Sequence, residues 1–371
     1  MRKQFRNPLR QLQLFRAISI AAMVALSFLA TARIGASETQ QLTPPPEDIF
    51  EAASKEASRL PRLRSLLVSQ GGNLVFERYY NGARPTRPAN IKSASKSVIS
   101  ALVGIAIQKG FLDGPGQPIS SFFPQLAELP KENGYPRKAE LTIEDLLSMR
   151  SGLETTSNRN YGRWVRSRNW VQHILSRPFV AWPGTAMVYS TGNTHLLSAI
   201  LTKATGKSTR EFAQETLGDP LGFQVARWPQ DPQGIYFGGN DMLLTPRKMM
   251  SFGEMYLRQG RHDGQQVIPA EWVRESLRPR VRSRREGGRF YGYGWWIRNM
   301  AGYQAPYAWG FGGQFIFLVP ELDLVVVSTS AVTLENDRRR HRFTVMDIIE
   351  RLIITPVGTW KRNSASARVQ R

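Results

Sequence analysis

The order of apolar and polar positions predicts strands towards both ends of the chain and helices between them. Two strand-like runs, "RSLLVSQ" and "LVFERYY", are separated by Gly71-Gly72-Asn73, a sequence typical of a hairpin turn. Strand-like runs return after residue 290, whereas residues 112–290 mostly follow helical spacing. The pattern therefore predicts an α+β fold. One antiparallel sheet, built from residues 62–80 and 290–330, is flanked by helices and interrupted by a mostly helical middle insertion.

Apolar residues at helical spacing mark the segments expected to cover this sheet. The stretch "ANIKSASKSVISALVGIAIQKG", residues 89–110, is so apolar beyond Val98 that we expect one buried helix, ending at Gly110. Near the C-terminus, "RFTVMDIIERLII" predicts an amphipathic helix whose inward face holds Phe343, Met346, Ile349 and Ile353. Capping-box spacing marks two further helix starts, Thr142 with Asp145 and Ser208 with Glu211.

The first 36 residues have the composition of an export signal. A basic segment without acidic residues precedes the apolar run "AISIAAMVALSFLATA", and Ile34-Gly35-Ala36 follows as a small-residue cleavage site. The sequence therefore predicts a signal peptide over residues 1–36, cleaved after Ala36, and a secreted or periplasmic mature protein. The alternative is an uncleaved N-terminal anchor, for which the apolar run is short.

The remaining chain divides into three predicted parts. Residues 37–61 hold a proline-containing linker and a first helix, and residues 62–335 form the main domain. Residues 336–371 are expected to hold the last helix and a basic tail. The chain has no cysteine, so neither a lipid-modified cysteine nor a disulfide framework is available.

The chain is strongly basic, with 50 Lys and Arg against 29 Asp and Glu and a formal net charge of +21. Much of the excess lies in "RPRVRSRREGGR", residues 278–289, and in the tail from Asp337 to Arg371. Binding of single-stranded nucleic acid calls for basic residues interleaved with aromatic ones, and Phe290 alone adjoins the first cluster. We therefore expect no nucleic-acid partner, but contact of these basic segments with an anionic envelope surface.

The sequence lacks the signature of the commonest serine esterases, since no Gly-x-Ser-x-Gly occurs. Its histidines fall within helical patterns, a turn or the basic tail, and we interpret them as surface or packing residues: His173, His195, His262 and His341. No His-x-x-x-His or equivalent spacing is present, so we predict neither a metal nor another cofactor.

A serine paired with a lysine is the remaining candidate nucleophile. Ser93 precedes Lys96 by three residues, so on a helix both side chains lie on one face. A buried lysine holds its proton weakly, and its neutral amine can take part in removing the serine proton. A helix N-terminus would also favour negative charge at Ser93. The alternative is that Ser93 serves only as a helix N-cap.

Two further segments suit such a site. Tyr189 follows the Pro183-Gly184 turn and precedes a helix. Beside a lysine, a tyrosine can be held near its ionised form and exchange protons with Ser93 and the leaving group; the alternative is a packing aromatic. The stretch "YAWGFGGQFIFLVP" is a glycine-rich approach to a strand. Its backbone can complete an oxyanion hole with the N–H of Ser93, or it is only a tight turn.

In their order along the chain, these motifs resemble the serine β-lactamase and penicillin-binding-protein superfamily, in particular the class C β-lactamase-related branch of esterases and 6-aminohexanoate-dimer hydrolases. The similarity spans residues 62–335 and includes "IKSASKSVIS", "YSTGNTHLLSAILTKATGKS" and "WGFGGQFIFLVPELDLVVV". It implies a β-lactamase-like fold and acyl transfer, in which Ser93 is the nucleophile and Lys96 and Tyr189 together handle the proton as general base and acid. The N–H groups of Ser93 and Phe311 would form the oxyanion hole. Implied substrate-binding residues are Asn193, Trp309, Gly310 and Gly312.

Two departures from the family pattern bear on the substrate. The Tyr-x-Asn motif has Thr191 in its third position, with the asparagine two residues later. The motif of Lys or His, Ser or Thr, then Gly is replaced by Ala308-Trp309-Gly310, which lacks the cation for a substrate carboxylate. We therefore expect a small ester or linear amide as substrate. The alternatives are a β-lactamase or D,D-peptidase-type enzyme, in which an arginine of residues 278–289 replaces that cation, and a non-catalytic envelope-binding protein.

Overall fold

The computed structural model describes residues 44–132, 134–283, 288–333 and 337–369. The predicted signal peptide, residues 1–36, lies outside the described residues. Within these ranges, none of the helices has the length and apolarity that a bilayer crossing requires.

The strands of the described chain are β1 (Leu63–Gln70), β2 (Asn73–Tyr79), β3 (Ala89–Asn90), β4 (Leu243–Leu244), β5 (Arg261–His262), β6 (Gln265–Gln266), β7 (Val281–Arg282), β8 (Arg289–Tyr291), β9 (Trp296–Met300), β10 (Tyr303–Gly310), β11 (Gln314–Val319) and β12 (Leu324–Ser330). Eight of them form one antiparallel sheet, in the order β2-β1-β12-β11-β10-β9-β8-β7. β1 pairs with both β2 and β12, so strands from the N-terminal and C-terminal parts of the described chain build one sheet, as predicted.

The α-helices lie on both faces of this sheet. They are α1 (Glu51–Ser58), α2 (Ser95–Gln108), α3 (Ile143–Leu147), α4 (Tyr161–Val165), α5 (Trp170–Leu175), α6 (Thr191–Thr205), α7 (Thr209–Ala213), α8 (Pro246–Leu257), α9 (Ala270–Leu277), α10 (Arg338–Ile349) and α11 (Thr355–Val369). A π-helical turn, Glu350–Ile354, joins α10 to α11. Both predicted capping boxes are present at the starts of α3 and α7.

Strand alternation divides the core into two layers. In β12, Val325 and Val327 pack into the cluster formed with α2, α6 and α8, whereas Leu324 and Val326 pack against α1 and α10. α2 is buried along nearly its whole length within the first layer. This burial fixes the position of the Ser93 and Lys96 segment relative to the sheet.

The predicted helix over residues 89–110 is shorter than expected. Ala89–Asn90 instead forms β3, which pairs with β4, and a 3-10 turn over Lys92–Ala94 precedes the first α-helical residue, Ser95. The strand pairing competes with helix formation in this segment because it satisfies the same backbone groups.

The stretch from Tyr307 to Gly310, expected only as a glycine-rich approach to a strand, is the second half of β10. Pro306 pairs with β9 but lies outside the residues that pair with β11, so its missing N–H leaves the β11 ladder intact.

The inward orientation predicted for Phe343 is wrong, since its side chain is 41% exposed. Met346, Ile349 and Ile353 are buried as expected. Val345 and Ile348 are also buried, and they shift the apolar face of α10 around the helix, away from Phe343. The segment expected as a basic tail continues as α11 to Val369.

Candidate active site

Ser93 lies in the short 3-10 turn between β3 and α2. The chain before it is held by strand pairing and by two hydrogen bonds: Ile91 N donates to Met242 O at 2.9 Å, and Lys92 N donates to Asn90 Oδ1 at 3.0 Å. Lys92 adopts a left-handed backbone conformation, with φ of +50°. The N-cap of α2 is Ala94, without a side-chain cap. Ser93 is therefore not the N-cap that the alternative interpretation required.

Lys96 is buried beside Ser93. Its Nζ lies 3.1 Å from Ser93 Oγ, 3.3 Å from Thr191 Oγ1 and 2.5 Å from the carbonyl oxygen of Gly239. Burial lowers the pKa of Lys96 to about 7, and the negative charge of Asp241 opposes this shift. A large fraction of Lys96 is therefore a neutral amine near pH 7, able to accept a proton from Ser93.

Tyr189 closes the other side of Ser93. Its ring stacks on Trp296 at a centroid distance of 5.7 Å, and Lys96 Nζ lies 5.3 Å from the ring centroid. Burial raises the pKa of Tyr189 to about 12, although its hydrogen bond with Ser93 and the charge of Arg289 act in the opposite direction. The expectation that Tyr189 is held near its ionised form is therefore wrong, because the neutral phenol dominates at neutral pH.

A loop of three hydroxyl residues holds Tyr189 and the start of α6. Thr155 Oγ1 donates to the carbonyl oxygen of Tyr189 at 2.7 Å. Thr156 Oγ1 accepts from Gly192 N at 2.9 Å, and Ser157 Oγ accepts from Thr191 N at 2.8 Å. α6 has no side-chain cap of its own, so this loop supplies partners for its first N–H groups.

Ser93 opens into a cleft of about 660 Å³. The lining combines polar and apolar side chains: Lys92, Ser93, Ser157, Asn158, Tyr161, Tyr189, Thr191, Asn240, Trp309, Phe311 and Val332. A cleft of this size with a few convergent polar groups is typical of small-molecule sites.

The end of β10 lies against the chain that precedes Ser93. A Cβ added at Gly310 would lie 2.0 Å from the carbonyl oxygen of Ile91, so only glycine permits this approach. Trp309 and Phe311 line the cleft on either side of Gly310. Gly312 has φ of +90° and shapes the turn that follows.

Asn193 does not occupy its expected place at the substrate. It is fully buried, and its Oδ1 accepts a hydrogen bond from Ser151 Oγ at 3.2 Å. Thr191, the third residue of the tyrosine motif, lines the cleft and contacts Lys96 instead. The prediction that Asn193 contacts substrate is therefore wrong for this arrangement.

The loop after Gly239 contributes residues that the sequence patterns did not single out. Asp241 Oδ1 accepts from Lys92 Nζ at 2.6 Å and from Asn90 Nδ2 at 2.8 Å. Asn240 Nδ2 donates to the hydroxyl of Tyr161 at 2.9 Å. In the sequence, Asn240 and Asp241 stand in a short cluster of glycine and polar residues. Their hydrogen-bond partners lie about 80 to 150 residues earlier in the chain, so no local spacing indicated these contacts.

None of the four histidines lines this cleft. His195 Nε2 lies 3.0 Å from Asp231 Oδ2, with both side chains fully buried, and His195 Nδ1 accepts from Gly238 N at 3.4 Å. This pair supports the loop that carries Gly239. Among the described residues, no three His, Asp or Glu side chains are grouped as a metal site would require.

Comparison with known proteins identifies relatives of this chain. A profile of the family described as Beta-lactamase matches residues 64–350. The 6-aminohexanoate-dimer hydrolase of Paenarthrobacter ureafaciens is 25% identical over 318 residues, which cover 74% of this chain and 76% of that protein. The D-alanyl-D-alanine-carboxypeptidase/endopeptidase AmpH of Escherichia coli K12 is 24% identical over 224 residues, 52% of this chain and 57% of that protein.

A solved structure has the same fold. EstCE1, described as a hydrolase with promiscuous acyltransferase activity, superposes with a TM-score of 0.65 at 17% identity, covering 82% of this chain and 97% of that chain. At this identity the likeness establishes the fold alone. The family match and the antiparallel sheet together confirm the predicted β-lactamase-like α+β fold.

Proposed function

Because the chain belongs to the beta-lactamase family and is a serine hydrolase, we propose that it cleaves a small ester or linear amide through an acyl-enzyme on Ser93. The observation that carries this proposal is the contact of 3.1 Å between Ser93 Oγ and Lys96 Nζ, in a cleft large enough for a small molecule. The non-catalytic alternative has no comparable support.

Lys96 is the proposed base for the first step. Its neutral amine takes the Ser93 proton as Oγ bonds to the substrate carbonyl carbon. Tyr189, which keeps its proton up to high pH, is the proposed acid: it gives that proton to the leaving group, and protonated Lys96 then restores it through solvent, because acylated Ser93 has no O–H. Water then attacks the acyl carbon while neutral Lys96 takes a water proton. That proton passes to Ser93 Oγ as its bond to the acyl group breaks and the acid product leaves.

The proposed oxyanion hole consists of the backbone N–H groups of Ser93 and Phe311. The supporting observation is the close approach of Gly310 to Ile91, which brings the end of β10 beside the turn of Ser93. Two backbone donors on rigid elements stabilise the tetrahedral oxyanion more than the ground-state carbonyl.

A preference for esters or linear amides fits the side chain at position 308. Ala308 is fully buried and carries no charge, so the position that would supply a carboxylate-binding cation is apolar. Trp309 and Phe311 suit an uncharged substrate surface at this part of the cleft.

A β-lactamase or D,D-peptidase-type activity is the second candidate, and one observation favours it. The guanidinium groups of Arg289 and Arg342 lie 5.5 and 4.6 Å from the Trp309 ring centroid. Arg289 belongs to the basic cluster expected to supply a substitute cation. The relative AmpH carries the name of such a peptidase.

Export is a further part of the proposal. The basic and apolar pattern of residues 1–36 supports secretion to the periplasm or the medium, with the mature chain beginning at Ser37. Arg339 and Arg340 are exposed on α10 and support contact with an anionic envelope surface.

Labelling of the wild type and Ser93→Ala with a fluorescent fluorophosphonate and a fluorescent penicillin tests these proposals. We expect the wild type to take up the phosphonate alone, and Ser93→Ala to take up neither probe. Penicillin labelling would favour the second candidate. The absence of any Ser93-dependent label in folded protein would exclude the proposed mechanism. In fractionated cells, the intact mass of the labelled protein reports whether residues 1–36 have been removed.

A further inference from the structure

His195 is buried in the first turns of α6 and has no part in the chemistry proposed above. We propose that it is a positioning residue for Lys96: its neutral imidazole binds the N–H of Gly238 and thereby holds the carbonyl oxygen of Gly239 at Lys96 Nζ. This inference rests on the proposed function, because the effect of His195 on the reaction passes through Lys96 as the base.

The partners of His195 determine which ring nitrogen carries the proton. Gly238 N lies 3.4 Å from Nδ1, and a backbone N–H can only donate, so Nδ1 must be the unprotonated acceptor. The proton of the neutral ring is therefore on Nε2, which lies 3.0 Å from Asp231 Oδ2. Burial lowers the pKa of His195, although its hydrogen bond with Asp231 acts in the opposite direction. The neutral ring thus donates to Asp231 and accepts from Gly238.

Asp231 maintains this tautomer because its own hydrogen bonds are fixed by a turn. Its Oδ1 accepts from the backbone N–H groups of Gln233 and Ile235 at 2.8 and 2.9 Å. Its N donates to Ile235 O at 2.8 Å, which closes the turn and leaves Oδ2 to accept from His195. Three aromatic rings pack against the imidazole, with centroid distances of 5.3 to 5.9 Å: Trp164, Trp170 and Phe237. The ring of His195 therefore has one orientation.

The segment that His195 binds lies directly against α6 and Lys96. A Cβ added at Gly238 would lie 2.2 Å from the carbonyl oxygen of Thr194, and one added at Gly239 would lie 2.1 Å from Thr194 Oγ1. Glycine at both positions permits this approach. The carbonyl oxygen of Gly239 then lies 2.5 Å from Lys96 Nζ. Without His195, the buried N–H of Gly238 loses its acceptor, which favours movement of the whole segment.

The carbonyl oxygen of Gly239 acts on the base in two ways. Because a carbonyl oxygen only accepts, it takes one N–H of neutral Lys96 and leaves the lone pair among the neighbouring hydroxyls, of which Ser93 Oγ lies 3.1 Å away. When Lys96 takes the Ser93 proton, the same oxygen binds the ammonium group that forms, and such a bond favours the charged state. Among the described residues, the charged or titratable side chains facing these groups are Tyr189 and Asp241 at Lys96 and Asp231 at His195.

Three variants separate this role from simple packing. In His195→Asn, the amide oxygen replaces Nδ1 and still accepts from Gly238 N, whereas in His195→Gln the amide nitrogen replaces Nε2 and still donates to Asp231. Asp231→Asn keeps its oxygen for the two backbone N–H groups and turns its NH₂ group to Nε2. The ring proton then moves to Nδ1, where it opposes Gly238 N–H. Profiles of kcat/KM against pH are measured with 4-nitrophenyl acetate and corrected with Ser93→Ala.

Ser198→Ala is the matched control, because Ser198 follows His195 by one helical turn and holds the same segment. Its Oγ donates to the carbonyl oxygen of Tyr236 at 2.7 Å, two residues before Gly238. The variant weakens the attachment of the segment to α6 without removing the acceptor of Gly238 N. It should lower the free energy of unfolding and leave the acidic limb of the pH profile in place.

We expect His195→Gln and Asp231→Asn to lower the plateau of kcat/KM about tenfold or more, because the base is displaced. Their acidic limb should move to lower pH by about half a unit or more, since charged Lys96 loses an acceptor. His195→Asn should stay within about threefold of the wild type with its limb in place. Equal losses in both His195 variants, with unmoved limbs, would overturn the inference and leave the proposed function intact.

The wild type also provides a test that does not depend on the folding of any variant. Long-range 15N–1H correlation spectra of labelled protein report which ring nitrogen carries the proton, and NOEs to the Trp170 indole identify the His195 ring. We expect a proton on Nε2 and none on Nδ1 from about pH 6.5 to about pH 9. A proton on Nδ1 would overturn the inference. Failure of the proposed function would look different, since the wild type would then show no Ser93-dependent hydrolysis.

Discussion

At the scale of single residues, two ionisations determine when the site can react. Lys96 must be neutral and Tyr189 must be protonated, and burial places their pKa values at about 7 and about 12. We therefore predict that kcat/KM rises as pH increases through about 7 and stays level to about pH 10. A pH profile measured with an uncharged ester checks this. A decrease between pH 8 and pH 10 would contradict the role of neutral Tyr189 as the acid.

The charge of Asp241 provides a second test at this scale. Its carboxylate raises the pKa of Lys96, and Lys92 Nζ lies 2.6 Å from Asp241 Oδ1. Asp241→Asn should move the acidic limb of the pH profile to lower pH, because protonated Lys96 loses an attractive charge. Lys92→Met should move it to higher pH, because the Asp241 charge is then uncompensated. Shifts in the same direction for both variants would contradict this electrostatic account.

The three-residue spacing of Ser93 and Lys96 predicted that their side chains are neighbours, and the order of motifs added Tyr189 as a candidate. The error at Asn193 came from matching residue type without helix phase. Thr191 is the first residue of α6, and two residues further the side chain points to the opposite side of the helix. Ser157 gave no periodic signal, since it acts through a loop that meets α6 only in the folded chain.

At the scale of elements, the contact between α2 and α9 depends on a glycine. A Cβ added at Gly104 would lie 2.2 to 2.4 Å from ring atoms of Trp272, whose Nε1 donates to the carbonyl oxygen of Ser100 at 2.9 Å. We predict that Gly104→Ala lowers the free energy of unfolding by about 1–3 kcal/mol, despite the higher helix propensity of alanine. Urea unfolding at pH 8 measures this change.

Gly162→Ala in α4 is the matched control for that prediction. Its added Cβ would meet Arg166 at 3.6 Å or more, an ordinary contact, so the variant should be neutral or stabilised by up to about 1 kcal/mol. Trp272→Leu in the Gly104→Ala background should recover part of the loss by making room. If alanine at Gly104 and alanine at Gly162 change the free energy of unfolding equally, the contact with the Trp272 ring is not the cause of the predicted loss.

Sequence signals within a few residues predicted the turn and the helix starts, whereas contacts with distant segments determine where α2 begins and that β10 is a strand. The hairpin turn and the capping boxes at Thr142 and Ser208 depend on neighbours within four residues, and all three are present. The start of α2 and the strand β10 depend on pairing with distant segments. Such pairing cannot be derived from periodicity within either segment.

At the scale of the whole molecule, the site lies where the segment of Ser93, the helical insertion and the C-terminal strands meet. The N-terminal half supplies Ser93 and Lys96, the helical insertion supplies Tyr189 and Thr191, and the C-terminal strands supply the Phe311 turn. The alternation of strands and helices predicted this division, and the apolar run after Val98 predicted the buried helix that carries Lys96. Burial of Lys96 opposes protonation in the folded state, so the same feature that makes it a base affects stability.

The last prediction concerns that link between stability and pH. The pKa of Lys96 falls from 10.5 to about 7 on folding, so between these values the unfolded chain binds more protons. The wild type should therefore gain stability from this residue as pH rises from about 7 to about 10, and lose it as pH falls. Lys96→Met removes the titrating group but leaves the carbonyl oxygen of Gly239 without its donor at every pH.

The unfolding free energy of the wild type, minus that of Lys96→Met, should therefore increase as pH rises. Denaturant unfolding at pH 6.5, 8 and 9.5 measures it, with Lys55→Met, an exposed lysine on α1, as the control for removal of a positive charge. A difference that does not change with pH would show that folding leaves the proton affinity of Lys96 unaltered.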